Sequence, residues 1–165
     1  MSVDVLLVGV GCTGSDDSGS ATTVGSGNTY EATIRRTTGG VPHITASTVA
    51  DASFGEGWAS SEDRACDLAD QVMKVRGERA RWFGAGAQDA NVNSDAAWLE
   101  IGIYRRAAED WQHVSKDLDA QITAYTAGWN GHLKAVGANG IKGWCSGADW
   151  LRPIKPVDVY AYARS

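Results

Sequence analysis

The amino-acid sequence predicts a mainly α-helical domain with a short β segment near its N-terminus. Apolar residues recur every three or four positions between Leu118 and Val136, which is the period of an amphipathic helix. A second helical pattern, with small residues on its apolar face, follows Trp58. From Tyr30 to Thr37, apolar and polar residues instead alternate, as in a half-buried strand. At 165 residues, the chain has the usual size of one domain.

The first twelve residues predict a partial export signal. The apolar run Val5 to Val10 ends in small residues and Cys12, although Asp4 stands where a cationic residue is usual. The segment ending at Cys12 also resembles a lipoprotein cleavage box, in which this cysteine would be lipidated. We therefore expect an exported protein, periplasmic or extracellular, with a lipid anchor as an alternative.

Residues 13–29 predict a flexible linker. Gly, Ser, Thr and Asp dominate this stretch, and Val24 is its single large apolar residue. Such a composition buries too little apolar surface to offset the entropy lost on ordering. The folded region is therefore expected to span residues 30–165.

The predicted β segment consists of two strands. Tyr30, Ala32 and Ile34 would share the buried face of the first strand, and the pair Gly39-Gly40 would form the turn. Pro42 lacks a backbone N–H, so the returning segment is expected to be an edge strand.

The first helix is predicted to begin after a cap at Ser47 or Thr48 and to end at Gly84. Gly55 and Gly57 are expected to interrupt it early and to let another backbone approach closely.

A loop and three further helices complete the predicted pattern. A polar loop is predicted from Ala85 to Asp95 and a second helix over Ala96 to Glu109. Ser115 would open the clearest helix, which the glycines of residues 137–140 would end. Pro156 would then stand in the first turn of a last helix.

The charge balance excludes some classes of partner. The chain has 15 basic and 20 acidic residues and a formal net charge of −5, and no basic patch. We therefore expect no nucleic-acid partner, and contact with a membrane only through lipidation. Seven tryptophans against two phenylalanines suit a surface buried against another subunit, although an ordinary core rich in indole is the alternative.

Seven short motifs follow one another along the chain: Gly40–Ile44, Gly55–Ala59, Glu62–Arg64, Arg76–Glu78, Trp82–Gly84, Ala124–Asn130 and Trp144–Ile154. In this order they resemble the start of the α subunit of penicillin acylases. The resemblance is greatest to the subgroup of aculeacin A and acyl-homoserine-lactone acylases. This resemblance implies the α-subunit part of an αββα N-terminal nucleophile hydrolase. It also implies hydrolysis of linear amides, namely the acyl side chains of lactones, lipopeptides or β-lactams.

In such hydrolases the nucleophile is the first residue of a second chain, the β subunit, and its own α-amino group is the base. The resemblance therefore implies a β-subunit partner, no catalytic residue in this chain, and no activity of this chain alone. Ser165 is not expected to be the nucleophile. No cofactor is expected in this chain, because the acyl-pocket residues and the glutamate that binds calcium in many relatives would fall beyond Ser165.

A non-catalytic binding module, secreted or lipid-anchored, is the alternative function. Its tryptophans would then form a recognition surface.

Two groups of polar residues are candidates for sites. Glu62, Asp63, Asp67 and Asp70 have helical spacing, and Asp63 with Asp67 is spaced as a metal pair would be. We instead expect a solvated or salt-bridged face, with Arg64, Lys74 and Arg76 as the neutralising groups. We expect His43 to be packed or hydrogen-bonded. His113 and His132 are expected to be surface residues.

Cys66 and Cys145 form an even pair once Cys12 is assigned to the signal. An even pair in an exported chain favours a disulfide, and secreted members of the resembled family have similar cysteines. Two free buried thiols are the alternative.

Overall fold

The computed structural model describes residues 20–27 and 29–165. Within this part the chain is mainly helical, as predicted, with one small sheet. The strands are β1 Ala21–Gly25, β2 Glu31–Arg36 and β3 Pro42–Ala46, and the helices are α1 Val49–Arg76, α2 Arg79–Phe83, α3 Ala90–Ile101, α4 Ile103–Asp110, α5 Lys116–Gly140 and α6 Pro156–Ala163. The predicted signal and Cys12 lie outside the described residues.

The sheet is antiparallel in the order β1-β2-β3. Ala32 and Ile34 of β2 are 2% and 4% exposed, which confirms the alternation that predicted this strand. The strand β3, which begins at Pro42, lies at an edge of the sheet, where a missing N–H removes no ladder bond.

The prediction of a flexible linker is wrong for Ala21–Gly25, which forms β1. This strand pairs with β2 along five residues, with Val24 opposite Ala32. The isolated Val24 is 5% exposed because it packs in the cluster below the sheet. A polar segment is thus ordered by ladder hydrogen bonds and one buried side chain. Residues 13–19 of the predicted linker lie outside the described residues.

Helix α1 begins as predicted but ends earlier. The Thr48 side chain accepts a hydrogen bond from the Asp51 N–H at 3.1 Å, which confirms one of the two proposed caps. The helix ends at Gly77 and not at Gly84, because Gly77 adopts φ 65° and its N–H bonds to the Lys74 carbonyl. Helix α2 follows and ends before Gly84.

The expected interruption of α1 at Gly55 and Gly57 does not occur, since helical structure runs through both positions. The expected close approach does. A Cβ on Gly57 would lie 2.0 Å from the Tyr125 carbonyl oxygen, and one on Gly128 would lie 1.9 Å from the Phe54 carbonyl oxygen. The backbones of α1 and α5 are therefore in direct contact. The departure from helical geometry occurs instead at Arg64, where φ is −142°.

The middle of the chain is more helical than predicted. Helix α3 begins at Ala90, inside the stretch assigned to a loop, and Gly102 with φ 68° separates it from α4. The single helix predicted over Ala96 to Glu109 is therefore two helices. Helix α5, capped by Ser115, and helix α6, opened by Pro156, begin where the sequence predicted.

The largest buried cluster lies between α1, α5 and the segment that leads into α6. Trp129 is completely buried there, next to Leu133, Ala69 and Leu151. None of the helices in the described part combines the length and the apolar composition that crossing a bilayer requires.

Candidate functional site

A cavity of about 400 Å³ lies beside the departure from helical geometry in α1. Helices α1, α5 and α6 all contribute to its wall. The lining residues are Ser60, Arg64, Asp67, Leu68, Asp70, Gln71, Tyr125 and Tyr162. This cavity is the candidate functional site, because it brings the long helix pair together with the end of α6.

Polar groups dominate the chemistry of this cavity. Burial raises the pKa of Tyr125, and a hydrogen bond with the Ser60 side chain opposes that shift. One carboxylate oxygen of Asp70, Oδ1, is buried and has no hydrogen-bond partner among the described residues. Among the described residues that line the cavity there is no histidine, cysteine or lysine that could activate Ser60. The cavity is therefore suited to holding a polar group.

The four carboxylates on α1 are salt-bridged, which confirms the preferred interpretation. Arg36 of β2 lies 2.8 Å from Glu62 and 2.9 Å from Asp63. The other two pairs are Arg64 with Asp67 at 3.7 Å and Arg79 with Asp70 at 3.2 Å.

Only Arg64 was among the expected neutralising groups. Lys74 instead lies over the Trp98 ring, and Arg76 pairs with Asp158. Within residues 20–27 and 29–165, no group of three histidine, cysteine or carboxylate side chains is arranged to hold a metal ion. These residues therefore do not fit a calcium site.

Two of the three predictions for histidine are wrong. His43 is exposed on β3, because the alternation of the strand turns it away from α1. His132 is only 8% exposed, and its Nδ1 lies 2.9 Å from the Ser61 hydroxyl oxygen. Burial lowers the pKa of His132. His113 is exposed, as predicted.

The contact between Ser61 and His132 resembles a nucleophile and base only in composition. Ser61 is 1% exposed and lies inside α1, so a substrate carbonyl has no route to its hydroxyl. The pair is a buried hydrogen bond between α1 and α5.

Cys66 and Cys145 form a disulfide, as the sequence predicted. Both residues are buried, at 4% and 1% exposure, in the cluster around Trp129. The bond ties α1 to the loop between α5 and α6.

Sequence reasoning missed the role of Asp158, which is completely buried. Its carboxylate accepts hydrogen bonds from Arg76 Nε at 2.8 Å, from the Tyr104 hydroxyl at 3.0 Å and from the Lys155 N–H at 2.6 Å. Burial and the Asp158 charge together raise the pKa of Tyr104. The signal was present in the sequence: an acidic residue two positions after Pro156 is typical of the third residue of a helix.

A sequence model described as penicillin amidase matches residues 31–165. The chain belongs to the penicillin amidase family. The resemblance in its short motifs to penicillin acylases is therefore confirmed.

Curated members of the penicillin amidase family extend the match. The chain is 34% identical to aculeacin-A acylase of Actinoplanes utahensis over 79% of its own length and 18% of the relative. It is also 34% identical to an acyl-homoserine lactone acylase PvdQ of Pseudomonas savastanoi, over 81% of the chain and 18% of the relative. The chain thus spans about a fifth of the length of these relatives.

A solved structure of the family shares the fold. The chain superimposes on a thermostable penicillin G acylase from Alcaligenes faecalis with a TM-score of 0.65 and 23% identity, covering 87% of this chain and 70% of the other. The mainly helical fold with a short N-terminal sheet, of the type found in a penicillin acylase, is thereby confirmed. The assignment of no catalytic residue to this penicillin amidase family chain remains a prediction.

Proposed function

We propose that this chain is the α portion of a penicillin-acylase-like amidohydrolase that hydrolyses linear amides. The observation that carries the proposal is the family match over residues 31–165, with relatives named as acylases. The β chain of the same precursor would supply the nucleophile, with its α-amino group as base. The substrates would be acyl side chains of lactones, lipopeptides or β-lactams.

The surface of the chain supports a large protein partner. Several big apolar side chains are exposed, among them Leu99 at 64%, Ile101 at 49% and Trp144 at 62%. Helix α3 turns Asp95 inward and Leu99 outward, the reverse of an ordinary surface helix. Exposed apolar surface of this kind is typical of a protein interface.

The interior of the chain supports an external nucleophile. Ser61 and His132 are both buried, and Ser60 has no histidine beside it in the cavity. Calcium in the complete enzyme would need ligands from outside the described residues, because these contain no group of three histidine, cysteine or carboxylate side chains arranged for a metal. Export would follow from the partial signal predicted at residues 1–12, with lipidation of Cys12 as the alternative form of anchoring.

The test is to produce the chain with the β chain encoded by the same gene and to offer fatty-acyl and phenylacetyl amides. We expect release of the amine by the assembled protein and no turnover by either chain alone. A variant of the β chain with its leading serine changed to alanine is the control and should be inactive. Turnover by this chain alone would contradict the proposal. If the chain is a soluble monomer that does not bind the β chain, the non-catalytic binding module is favoured instead.

A further inference from the structure

A small groove of about 150 Å³ lies on the surface between α2 and the segment before α6. Its lining includes Arg81, Trp82, Trp150 and Arg152, and we call it the Trp82 groove. Arg81 and Arg152 are exposed, whereas Trp82 and Trp150 are half-buried. The groove is separate from the cavity at Arg64.

Two cations share one indole ring in this groove. The guanidinium carbons of Arg81 and Arg152 lie 5.1 Å and 5.0 Å from the Trp82 ring centroid. In the described part of the chain, neither guanidinium is within ion-pair distance of a carboxylate. Glu78 also lines the groove, but its carboxylate lies 3.8 Å from Arg76. Arg152 Nε donates to the Asp149 carbonyl at 2.8 Å, which is a backbone acceptor. Among the described residues, both guanidinium groups therefore lack a carboxylate partner, although Glu78 is in the same groove.

The wall beside these cations is aromatic and exposed. Trp150 is stacked edge-on against Phe83 at 5.4 Å, and Trp144 lies 5.3 Å from Trp150. Trp144 is 62% exposed and Phe83 is 36% exposed. A surface with exposed indoles and arginines has the composition of an interface hot spot.

We propose that the Trp82 groove docks a carboxylate-bearing segment of the β chain, an inference that rests on the proposed function. An aspartate or glutamate of that segment would bind between Arg81 and Arg152, and neighbouring apolar side chains would cover Trp144 and Phe83. Charge complementarity selects this occupant, because guanidinium groups are suited to paired hydrogen bonds with a carboxylate. A net charge of −5 argues against a membrane surface as the occupant.

The experiment compares two double variants of equal charge. R81A/R152A removes both cations of the groove. R35A/R106A is the control, because Arg35 and Arg106 are exposed, have no carboxylate partner among the described residues, and lie outside the groove. Each variant is produced with the β chain, and the dissociation constant is measured by sedimentation between 50 and 500 mM NaCl, with a circular dichroism spectrum to confirm folding.

For R81A/R152A we expect about tenfold weaker association at low salt and a smaller dependence on salt than in the wild type. The control should match the wild type. W144A should weaken association at every salt concentration without changing the salt dependence, because it removes apolar contact alone.

Equal behaviour of R81A/R152A and R35A/R106A would overturn the docking proposal and leave the proposed function intact. The proposal would also be overturned if this chain associated with itself, or bound phosphatidylglycerol vesicles, and if R81A/R152A abolished that binding. The occupant of the Trp82 groove would then be a second copy of the chain or a lipid surface. Failure of the wild-type chain to assemble with the β chain would overturn the proposed function itself.

Discussion

Asp158 links three helices through one carboxylate. It receives donors from Arg76 of α1, Tyr104 of α4 and the Lys155 backbone at the start of α6. A carboxylate that is completely buried loses its hydration, and only such a set of donors compensates for that loss. Asp158 therefore fixes the start of α6 against α1 and α4.

Replacing Asp158 with Asn should lower the free energy of unfolding by about 3 to 5 kcal/mol, because it leaves Arg76 without its buried partner. Urea denaturation of the assembled or isolated chain measures this. D149N is the matched control, since Asp149 is exposed, and its midpoint should be that of the wild type. Equal midpoints for D158N and D149N would show that the carboxylate is not needed.

His132 should make stability depend on pH. Burial and Lys142 lower its pKa, while Glu62 and Asp63 oppose this shift. Because the pKa in the folded state lies below the ordinary value of about 6.5, the contribution to stability is complete above that pH. It is lost as the pH falls through the folded-state pKa, when the buried ring takes up a proton.

The measurement is the urea midpoint of the wild type and of H132Q from pH 8 to pH 5. We expect the wild type to lose more stability than H132Q over the acidic part of this range. H43Q is the control and should follow the wild type, because His43 is exposed. Parallel curves for wild type and H132Q would contradict the assignment.

At the scale of the element, glycine sets the distance between α1 and α5. Glycine is unfavourable in a helix by about 1 kcal/mol relative to alanine. A glycine on each of two packed helices therefore requires a favourable contact that offsets this free-energy cost. Here Gly57 meets the Tyr125 carbonyl and Gly128 meets the Phe54 carbonyl. Direct contact of the two backbones is that favourable contact.

Gly128→Ala should therefore destabilise the protein by at least 1 to 3 kcal/mol despite the better helix propensity of alanine, because the added methyl group overlaps the Phe54 carbonyl. Thermal unfolding followed by circular dichroism would detect this. The control is Gly39→Ala, where an added Cβ meets no atom within 4 Å. A melting temperature for G128A equal to that of G39A would show that the helices can separate at no cost.

Helix boundaries show the limits of sequence patterns at this scale. The starts of α5 and α6 were predicted because Ser115 and Pro156 are local signals that need no tertiary contact. The predicted end of α1 was wrong because Gly77 and Gly84 are equivalent as stop signals in the sequence. What distinguishes Gly77 is tertiary: the helix that follows it donates two backbone N–H hydrogen bonds to the Asp95 carboxylate.

For the whole molecule, the disulfide is a covalent link between distant parts of the chain. It joins residues that are 79 positions apart in the sequence. In the chain-entropy model, a loop of this length stabilises the folded state by roughly 4 to 5 kcal/mol, because it restricts the unfolded chain. Helix α5 and the last part of α1 lie within that loop.

The double variant C66S/C145S should lose about that amount of stability, which urea denaturation with and without reductant would measure. Non-reducing peptide mapping of the wild type is the control and should find both cysteines protected from alkylation. Labelling of both without reductant would mean that the bond does not form.

The sequence by itself determined the helical class, the half-buried strand β2, the pairing of Cys66 with Cys145 and, through its motifs, the family. The helical class, β2 and the family motifs depend on periodicity or residue identity within short stretches of chain. The cysteine pairing spans 79 positions, but it follows from residue identity because two cysteines remain once Cys12 is assigned to the signal. Only the tertiary structure decided that Val24 belongs to a strand, that His132 is buried against Ser61 and that Asp158 joins three helices. It also decided that Arg81 and Arg152 both lie over the Trp82 ring. Contacts between residues distant in sequence produce no periodic pattern, so the sequence alone does not predict them.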